Sequence, residues 1–295
     1  MDGGTPVGVI GLGLMGSALS ARLIDAGAGV IGFDIDAART GALSGIGAEF
    51  ADFAADVAAR CGTVIIAVYD AAQIRALLPD IARAKAAPLV ICTTTCAPDE
   101  ITGIAELAAR SRLAFIEAPI SGTSAEVRAG TATALVAGEA DVIATAAATL
   151  DILCPLRVNV GAIGNASRTK LAINLILQSN RAALAEGLVF AESLGLDGAA
   201  FLAAARRSAA YSAVMDSKGE KMLARDFSPQ SHIAQTLKDA ELILREAERH
   251  GVALPMTAAQ AGLLRAAIAL QGPGTDSAAV IEAIRARRAD KEERR

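Results

Sequence analysis

The chain has 295 residues, long enough for two domains, and 53% of them are hydrophobic, which excludes wholesale disorder. Its net charge of −4 comes without a basic stripe, so nucleic acid is not an expected partner. No apolar run reaches the ~18 residues that span a bilayer, and the opening Met-Asp-Gly-Gly-Thr-Pro lacks the basic and apolar regions of a signal peptide; a cytoplasmic protein with no membrane partner is expected.

The first predicted element is an apolar run at 7–10 that enters a turn at Gly11. Gly13 and Gly16 follow at G-x-G-x-x-G spacing, with Leu12, Leu14 and Met15 between them, and a helical pattern begins at Ala18, Leu19, Leu23 and Ile24. This is the strand–turn–helix in which a dinucleotide pyrophosphate rests on a helix N-terminus. Gly11 permits the tight turn, Gly13 lets backbone approach the phosphates, and Gly16 lets the helix pack on the strand. A second apolar run at 28–33, with a strand predicted over 30–33, ends at Asp34, roughly 20 residues on. A carboxylate there accepts hydrogen bonds from ribose hydroxyls and repels a 2′-phosphate. Ile35 and Asp36 come next, and no arginine precedes Arg39, so the acid favours NAD, with NADP as the alternative. Asp36 suits the N-cap of a helix beginning near Ala37.

Further strands are predicted at 64–68, 89–92, 113–118, 133–137 and 157–159, with Ala-rich amphipathic segments between most of them. Such alternation gives a parallel sheet covered on both faces, with ligands bound beyond the carboxyl ends of the strands. The strand ends are Val68-Tyr69-Asp70, Thr93-Thr94-Thr95 and Pro119-Ile120-Ser121-Gly122, and these are candidate site residues. Ser121-Gly122 offers a hydroxyl and unhindered N–H groups, a reasonable cradle for an anion. Among the four cysteines there is no C-x-x-C pair; Cys61 and Cys92 read as core residues. With only His232 and His250 besides, no metal site is expected, and no G-x-S-x-G elbow marks a hydrolase.

After Gly161 the strand signals stop. From Asn165 to Gly195 the pattern predicts a helix of roughly 30 residues, apolar on nearly every face. Helices follow at 198–207, 213–223, 233–250, 258–270 and 277–287. The basic cluster Arg285, Arg287, Arg288 with Arg294-Arg295 is interleaved with acids and reads as a solvated helix end. The fold expected is an α/β Rossmann-type parallel-sheet domain over 1–161, followed by an all-α domain over 162–295 built on one long helix. On that helix Lys170, Asn174 and Gln178 share a stripe at i, i+4 and i+8. A lysine there either snorkels to solvent or, desolvated, exchanges protons near neutral pH opposite a hydride donor. A helix too long and apolar for one small domain to cover implies a homodimer or homotetramer.

Four separated segments together resemble the β-hydroxyacid dehydrogenases, the family of 3-hydroxyisobutyrate dehydrogenase and tartronate semialdehyde reductase. They are Gly11 to Gly16; Glu117-Ala-Pro-Ile-Ser-Gly-Thr123 with Gly130-Thr131; Gly164 with Lys170-Leu-Ala-Ile-Asn174; and Lys238-Asp239 through Gly251-Val-Ala-Leu-Pro255. Asp226-Phe227-Ser228-Pro229 fits a further loop of that family. The resemblance implies an NAD(P)-dependent dehydrogenase acting on a small β-hydroxy acid or semialdehyde acid. It makes Lys170 the general acid in reduction and the base in oxidation, with Asn174 orienting the substrate. Ser121 and the backbone of Gly122 and Thr123 would hold the substrate carboxylate. Lys238 would lie against the cofactor, and Thr94 or Thr95 would contact the nicotinamide side.

Two positions depart from the family's usual pattern. Thr123 replaces a second glycine, narrowing that space and adding a hydroxyl, and Ala166 replaces a glycine ahead of the lysine. Competing readings are an imine reductase, whose members often carry Asp or Tyr at the lysine position, and a cofactor-binding regulatory module without catalysis. Lys170 argues against both.

Overall fold

Short β-branched runs flanked by glycine, aspartate or threonine set the strands of the first half, and alanine-rich amphipathic stretches set its helices. A computed structural model describes residues 5–40, 45–85 and 87–292. Residues 1–4, whose composition was read above, and Arg294-Arg295 lie outside the described residues. The chain divides into two compact units, Met1–Lys170 and Leu171–Arg295.

The first unit holds β1 (Val7–Ile10), α1 (Leu14–Asp25), β2 (Val30–Phe33), β3 (Glu49–Phe50), α2 (Ala54–Arg60), β4 (Thr63–Ile66), α3 (Ala71–Ala82), β5 (Leu89–Cys92) and α4 (Pro98–Arg110). It continues through β6 (Phe115–Glu117), β7 (Ile120–Ser121), α5 (Ser124–Ala129), β8 (Thr133–Ala137), α6 (Ala140–Leu153) and β9 (Leu156–Gly161). The sheet runs β3-β2-β1-β4-β5-β6-β8-β7, with β9 beside β8. It is parallel from β3 to β6. Strand order reverses between β1 and β4, so a crevice opens beyond their carboxyl ends, where the Gly11 and Val68 turns emerge. Val64, Ile66, Val90 and Cys92 pack with α2, α3 and α4 on one face, while Ile65 and Ile91 pack with Leu19, Leu23 and Leu150 on the other. Burial on both faces explains why these strands read as continuous apolar runs.

The departures from expectation have local causes. β4 is assigned only to Ile66: Ala67 N still donates to Ile10 O (2.8 Å), but beyond it the N–H groups turn to side chains, Val68 N to Thr94 Oγ1 (3.1 Å) and Tyr69 N to Gln73 Oε1 (2.8 Å). The sheet becomes mixed at β8, which is antiparallel to β6 and β7. The two-residue strands β3 and β7 are too short to carry a period.

The helix α7 (Asn165–Ser193) begins in the first unit and continues into the second. The second unit then contains α8 (Gly198–Arg206), α9 (Ala213–Ala224), α10 (Ile233–Arg249), α11 (Pro255–Gln271), a 3₁₀ turn at Ser277–Ala279 and α12 (Val280–Glu292). Pro255 occupies the first turn of α11, where its missing N–H costs nothing, so that helix starts ahead of the predicted 258. The core gathers Leu184, Leu188, Leu202, Met222, Ile233, Leu264 and Ile281. α7 is not covered on every face, as its composition suggested: Ile176 and Phe190 stand 61% and 64% exposed. Among the described residues no helix is long and apolar enough to cross a membrane.

A buried ion pair ties the second unit together. Lys218 on α9 donates to both carboxylate oxygens of Asp276 (2.8 and 2.9 Å), and Gln230 N, Ser231 N and Ala278 N donate to the same carboxylate. Burial alone would raise the Asp276 carboxyl, but Lys218 and these N–H donors hold it below its usual range. Its stabilising contribution is therefore present above the ordinary carboxylate range and is lost as acid protonates it. Asp276→Ala leaves the Lys218 amine enclosed without its counter-charge. It is expected to cost about 3–5 kcal/mol in denaturant unfolding at neutral pH, with the gap to the parent narrowing as the pH falls.

Candidate active site

The first part of the site is the turn from β1 into α1. Gly11 has φ +92°, and a Cβ there would stand 2.6 Å from the Ala67 carbonyl oxygen. A Cβ on Gly16 would stand 1.8 Å from the Gly11 carbonyl oxygen. Both glycines are therefore required by the protein's own packing. Gly13 differs: the nearest atom to a Cβ there is Arg39 Nη1 at 3.7 Å. Gly13 is the N-cap of α1, no side chain caps it, and the first turn contains no acid. Leu12 is buried, and Leu14 and Met15 open the helix. A helix start left open at a glycine with clear space fits a pyrophosphate.

Asp34 follows β2, as the spacing implied. Its Oδ2 accepts Leu12 N (2.6 Å) and its Oδ1 accepts Asp36 N (2.9 Å), so the carboxylate ties the two turns together. The structure adds a group that sequence order left remote: Arg39 Nη1 lies 3.3 Å from Asp34 Oδ2. Asp36 Oδ1 accepts Ala38 N and caps a short 3₁₀ turn, Ala37–Arg39, which swings Arg39 back over Asp34.

At the ends of β4 and β5, Thr94 exchanges hydrogen bonds with Val68, accepting its N–H and donating to its carbonyl (3.0 Å). Thr94 thus clamps the Val68-Tyr69 turn. Tyr69 is half exposed, and Thr95 follows within the same loop. Cys92 and Cys61 are buried as expected, their thiols pushed up to about 12 and about 11 by burial.

The segment after β6 carries the predicted substrate cradle. Gly122 has φ +148°, and a Cβ there would meet Ala132 Cβ at 2.9 Å, so glycine is needed on both counts. Thr123 is the N-cap of α5. Its Oγ1 accepts Glu126 N (3.3 Å) and donates to Glu126 Oε2 (2.8 Å), and its own N–H donates to Glu126 Oε2 (2.6 Å). This capping box engages both the hydroxyl and the N–H that the sequence had suggested for substrate.

Lys170 does not snorkel. It is 6% exposed, and its Nζ donates to the Ile120 carbonyl oxygen at 2.7 Å, immediately before Ser121. Further along α7, in the second unit, Asn174 Nδ2 donates to Asp239 Oδ2 (2.9 Å), and Lys238 Nζ stands 3.3 Å from Asp239 Oδ1. Gln178 donates to the Thr236 carbonyl and accepts from Gln260, fastening α7 to α10 and α11. Arg181 continues the same buried stripe, its guanidinium pKa lowered to about 10 by burial against the pull of Asp276 and Asp239. Asp239 and Glu117 are the groups that sequence reasoning quoted within motifs without giving them roles. Both lie beside assigned residues, but only folding reveals the contacts.

The chain is similar to known proteins over most of its length. Residues 6–162 match the NAD binding domain of 6-phosphogluconate dehydrogenase, and residues 164–284 match the NAD-binding domain of NADP-dependent 3-hydroxyisobutyrate dehydrogenase. A probable 3-hydroxyisobutyrate dehydrogenase-like 1, mitochondrial, from Arabidopsis thaliana is 31% identical over 85% of this chain and 76% of that protein. The 2-(hydroxymethyl)glutarate dehydrogenase of Eubacterium barkeri is 27% identical over 96% of this chain and 95% of its own. The crystal structure of a 3-hydroxyisobutyrate dehydrogenase from Salmonella typhimurium has the same fold, with a TM-score of 0.87 and 24% identity, covering 95% of this chain and 99% of that one.

Gly13 gives a direct test of the cradle. Gly13→Ala is expected to change unfolding stability by no more than about 1 kcal/mol, the scale of a cap substitution. In the same variant the Kd for NADH, read by fluorescence titration, rises at least about tenfold, because a methyl group now stands where backbone must approach phosphate. Unchanged NADH affinity would remove Gly13 from the cofactor site.

Proposed function

The chain belongs to the 3-hydroxyisobutyrate dehydrogenase-like β-hydroxyacid dehydrogenases, NAD(P)-binding oxidoreductases, and we propose that it oxidises a small β-hydroxy acid, or reduces the matching semialdehyde acid, in the cytoplasm. The observation that carries this reading is the seat of Lys170: a buried ammonium on the carbonyl of Ile120, next to the hydroxyl of Ser121 and the glycine-only backbone of Gly122. When bound, the nicotinamide supplies or accepts the hydride. Lys170 gives the proton to the carbonyl oxygen in reduction and takes it from the hydroxyl in oxidation. Ser121 and the Gly122 N–H hold the substrate carboxylate. Thr123 N–H joins them only when Glu126 releases it, so its first task is to start α5.

Asn174 orients the substrate. A carboxylate can only accept, so Asp239 takes one N–H of the Asn174 amide and fixes its plane. The second N–H and Oδ1 then form a donor–acceptor edge that suits a hydroxyl. Gly11, Leu12, Gly13, Leu14, Met15 and Gly16 bind the pyrophosphate, and Asp34 binds the adenosine ribose. Val68 and Tyr69, held by Thr94, line the same turn with Thr95, and Lys238 serves the cofactor. We favour NAD over NADP because the Asp34 carboxylate is fixed by two backbone N–H groups. A homodimer or homotetramer formed through the helical unit would cover Ile176 and Phe190. The presence of Lys170 and the match of both family models favour this reading over an imine reductase.

Two results follow from these roles. Lys170→Ala is expected to lower kcat about 10²–10⁴-fold in a panel of small hydroxy acids monitored by NADH absorbance, with NADH binding retained; near-normal turnover on the best substrate would refute the acid–base role. The native enzyme should prefer NAD in kcat/KM. Asp34→Ser combined with Ile35→Arg is expected to shift that ratio toward NADP, by removing a repulsive charge and adding a phosphate partner beside Arg39. A native preference for NADP would show that Arg39, not Asp34, governs the ribose end.

A further inference from the structure

Glu117 ends β6 and is fully enclosed, at 0% exposure. Its Oε2 accepts Gly164 N at 2.8 Å. Burial pushes its carboxyl above the usual range, while the Ser167 hydroxyl and the N–H groups of Gly164, Ser167 and Ala166 favour the charged form. The other oxygen, Oε1, has no close hydrogen bond, and neither has Ser167 Oγ. Glu117 therefore meets the N-terminus of α7, the helix that carries Lys170. Further along that helix, Lys170 Nζ reaches back to Ile120 O at 2.7 Å.

The two contacts join the same two pieces of chain. Glu117 and Ile120 lie three positions apart in one stretch, and Gly164 and Lys170 bracket the first turns of one helix. Their polarity is opposite: a carboxylate from the stretch meets the helix start, and an ammonium from the helix meets a carbonyl of the stretch. One contact alone would let the helix pivot about Ile120. Two fix both its rotation and its advance relative to Ser121 and Gly122. An acid kept for stability alone would be a poor choice here, since enclosing a carboxylate costs more solvation than enclosing a neutral amide of the same shape.

We propose that Glu117 is a positioning residue for Lys170, holding the start of α7 so that the lysine Nζ is seated at Ile120 beside the substrate-binding backbone. This rests on the reading of Lys170 as the acid–base group.

The test compares Glu117→Gln, which keeps the shape and removes the charge, with Glu117→Asp, which keeps the charge and withdraws it by one methylene. In Glu117→Gln, kcat is expected to fall about tenfold to hundredfold, the effect of misplacing a reacting group by about 1 Å. KM and the Kd for NADH should stay within about threefold of the parent, and Tm should not fall. Glu117→Asp should recover most of the lost kcat. Acetylation of Lys170, followed by mass spectrometry in the cofactor-free protein, should be faster in Glu117→Gln because Nζ has left its carbonyl. A kcat within about twofold of the parent, or a loss of kcat matched by a fall in Tm with Lys170 labelling unchanged, overturns the proposal. If Glu117→Gln does not fold, Ser167→Ala weakens the same cap, and faster Lys170 labelling with lower kcat supports the proposal while parental values of both overturn it. Lys170→Ala separates the two readings. Retained turnover there refutes the acid–base role and leaves the labelling to decide whether Glu117 seats the lysine. Lost turnover there with a fully active Glu117→Gln refutes only the role of Glu117.

Discussion

The contact between Gly16 and the Gly11 carbonyl is the constraint from which the cofactor site follows. With no room for a Cβ between them, α1 starts hard against the end of β1. Its first N–H groups are then delivered to the carboxyl edge of the sheet at the point where strand order reverses. Among the other helices of this unit, α2 and α6 also lack a side-chain cap but carry Asp56 and Asp141 in their first turns, and the remaining three have a side-chain acceptor at the start. Asp70 accepts Gln73 N at the start of α3, Glu100 accepts Ala97 N at α4, and Thr123 with Glu126 closes α5. The chain supplies such partners freely, yet α1 begins with a glycine, no capping side chain and no acid. The positive end of that helix is left for a charge that comes from outside the chain.

The start of α7 is handled in the opposite way. There the protein supplies the hydrogen-bond acceptor itself, from a carboxyl group enclosed at the end of β6. A phosphate could not do this service, because the position must be held whether or not a ligand is bound. The two helix starts thus divide the electrostatics of the sheet's edge. One is open, as the proposed pyrophosphate site requires; the other is closed and carries Lys170, whose Nζ meets the Ile120 carbonyl.

Much of this was legible in the sequence, for identifiable reasons. Strands β1, β2, β5 and β8 have the predicted bounds because each is a short apolar run stopped by a residue of different chemistry. The glycine fingerprint and the lysine stripe were legible because backbone clearance and helical spacing are local properties. What escaped was decided by contacts between distant residues. Arg39 is five positions from Asp34, and only the turn capped by Asp36 brings it back. Thr123 read as part of the substrate cradle because its partner Glu126 is recognisable as one only once α5 is known to begin there. The antiparallel entry of β8 has no signature in composition, since its residues are as apolar as those of its parallel neighbours. That α7 would keep some apolar surface uncovered was legible from its length, but which residues stand out, Ile176 and Phe190, is decided by how the other helices pack on it.

Asp239 shows how such distant contacts bear on chemistry. Asparagine alone has no preferred face toward a substrate, since its amide presents a donor on one side and an acceptor on the other. A carboxylate at 2.9 Å removes that ambiguity, because it can accept and cannot donate. Lys238 Nζ stands 3.3 Å from the other oxygen. The adjacent pair Lys238-Asp239 is therefore one device: the lysine pairs with the aspartate, and the aspartate keeps the amide in a single orientation. A substrate hydroxyl, which must give up its hydrogen and be held by its oxygen, needs an amide edge whose polarity is settled before it arrives. In the role proposed for Asn174, the order along α10 supplies that edge without calling on Lys170.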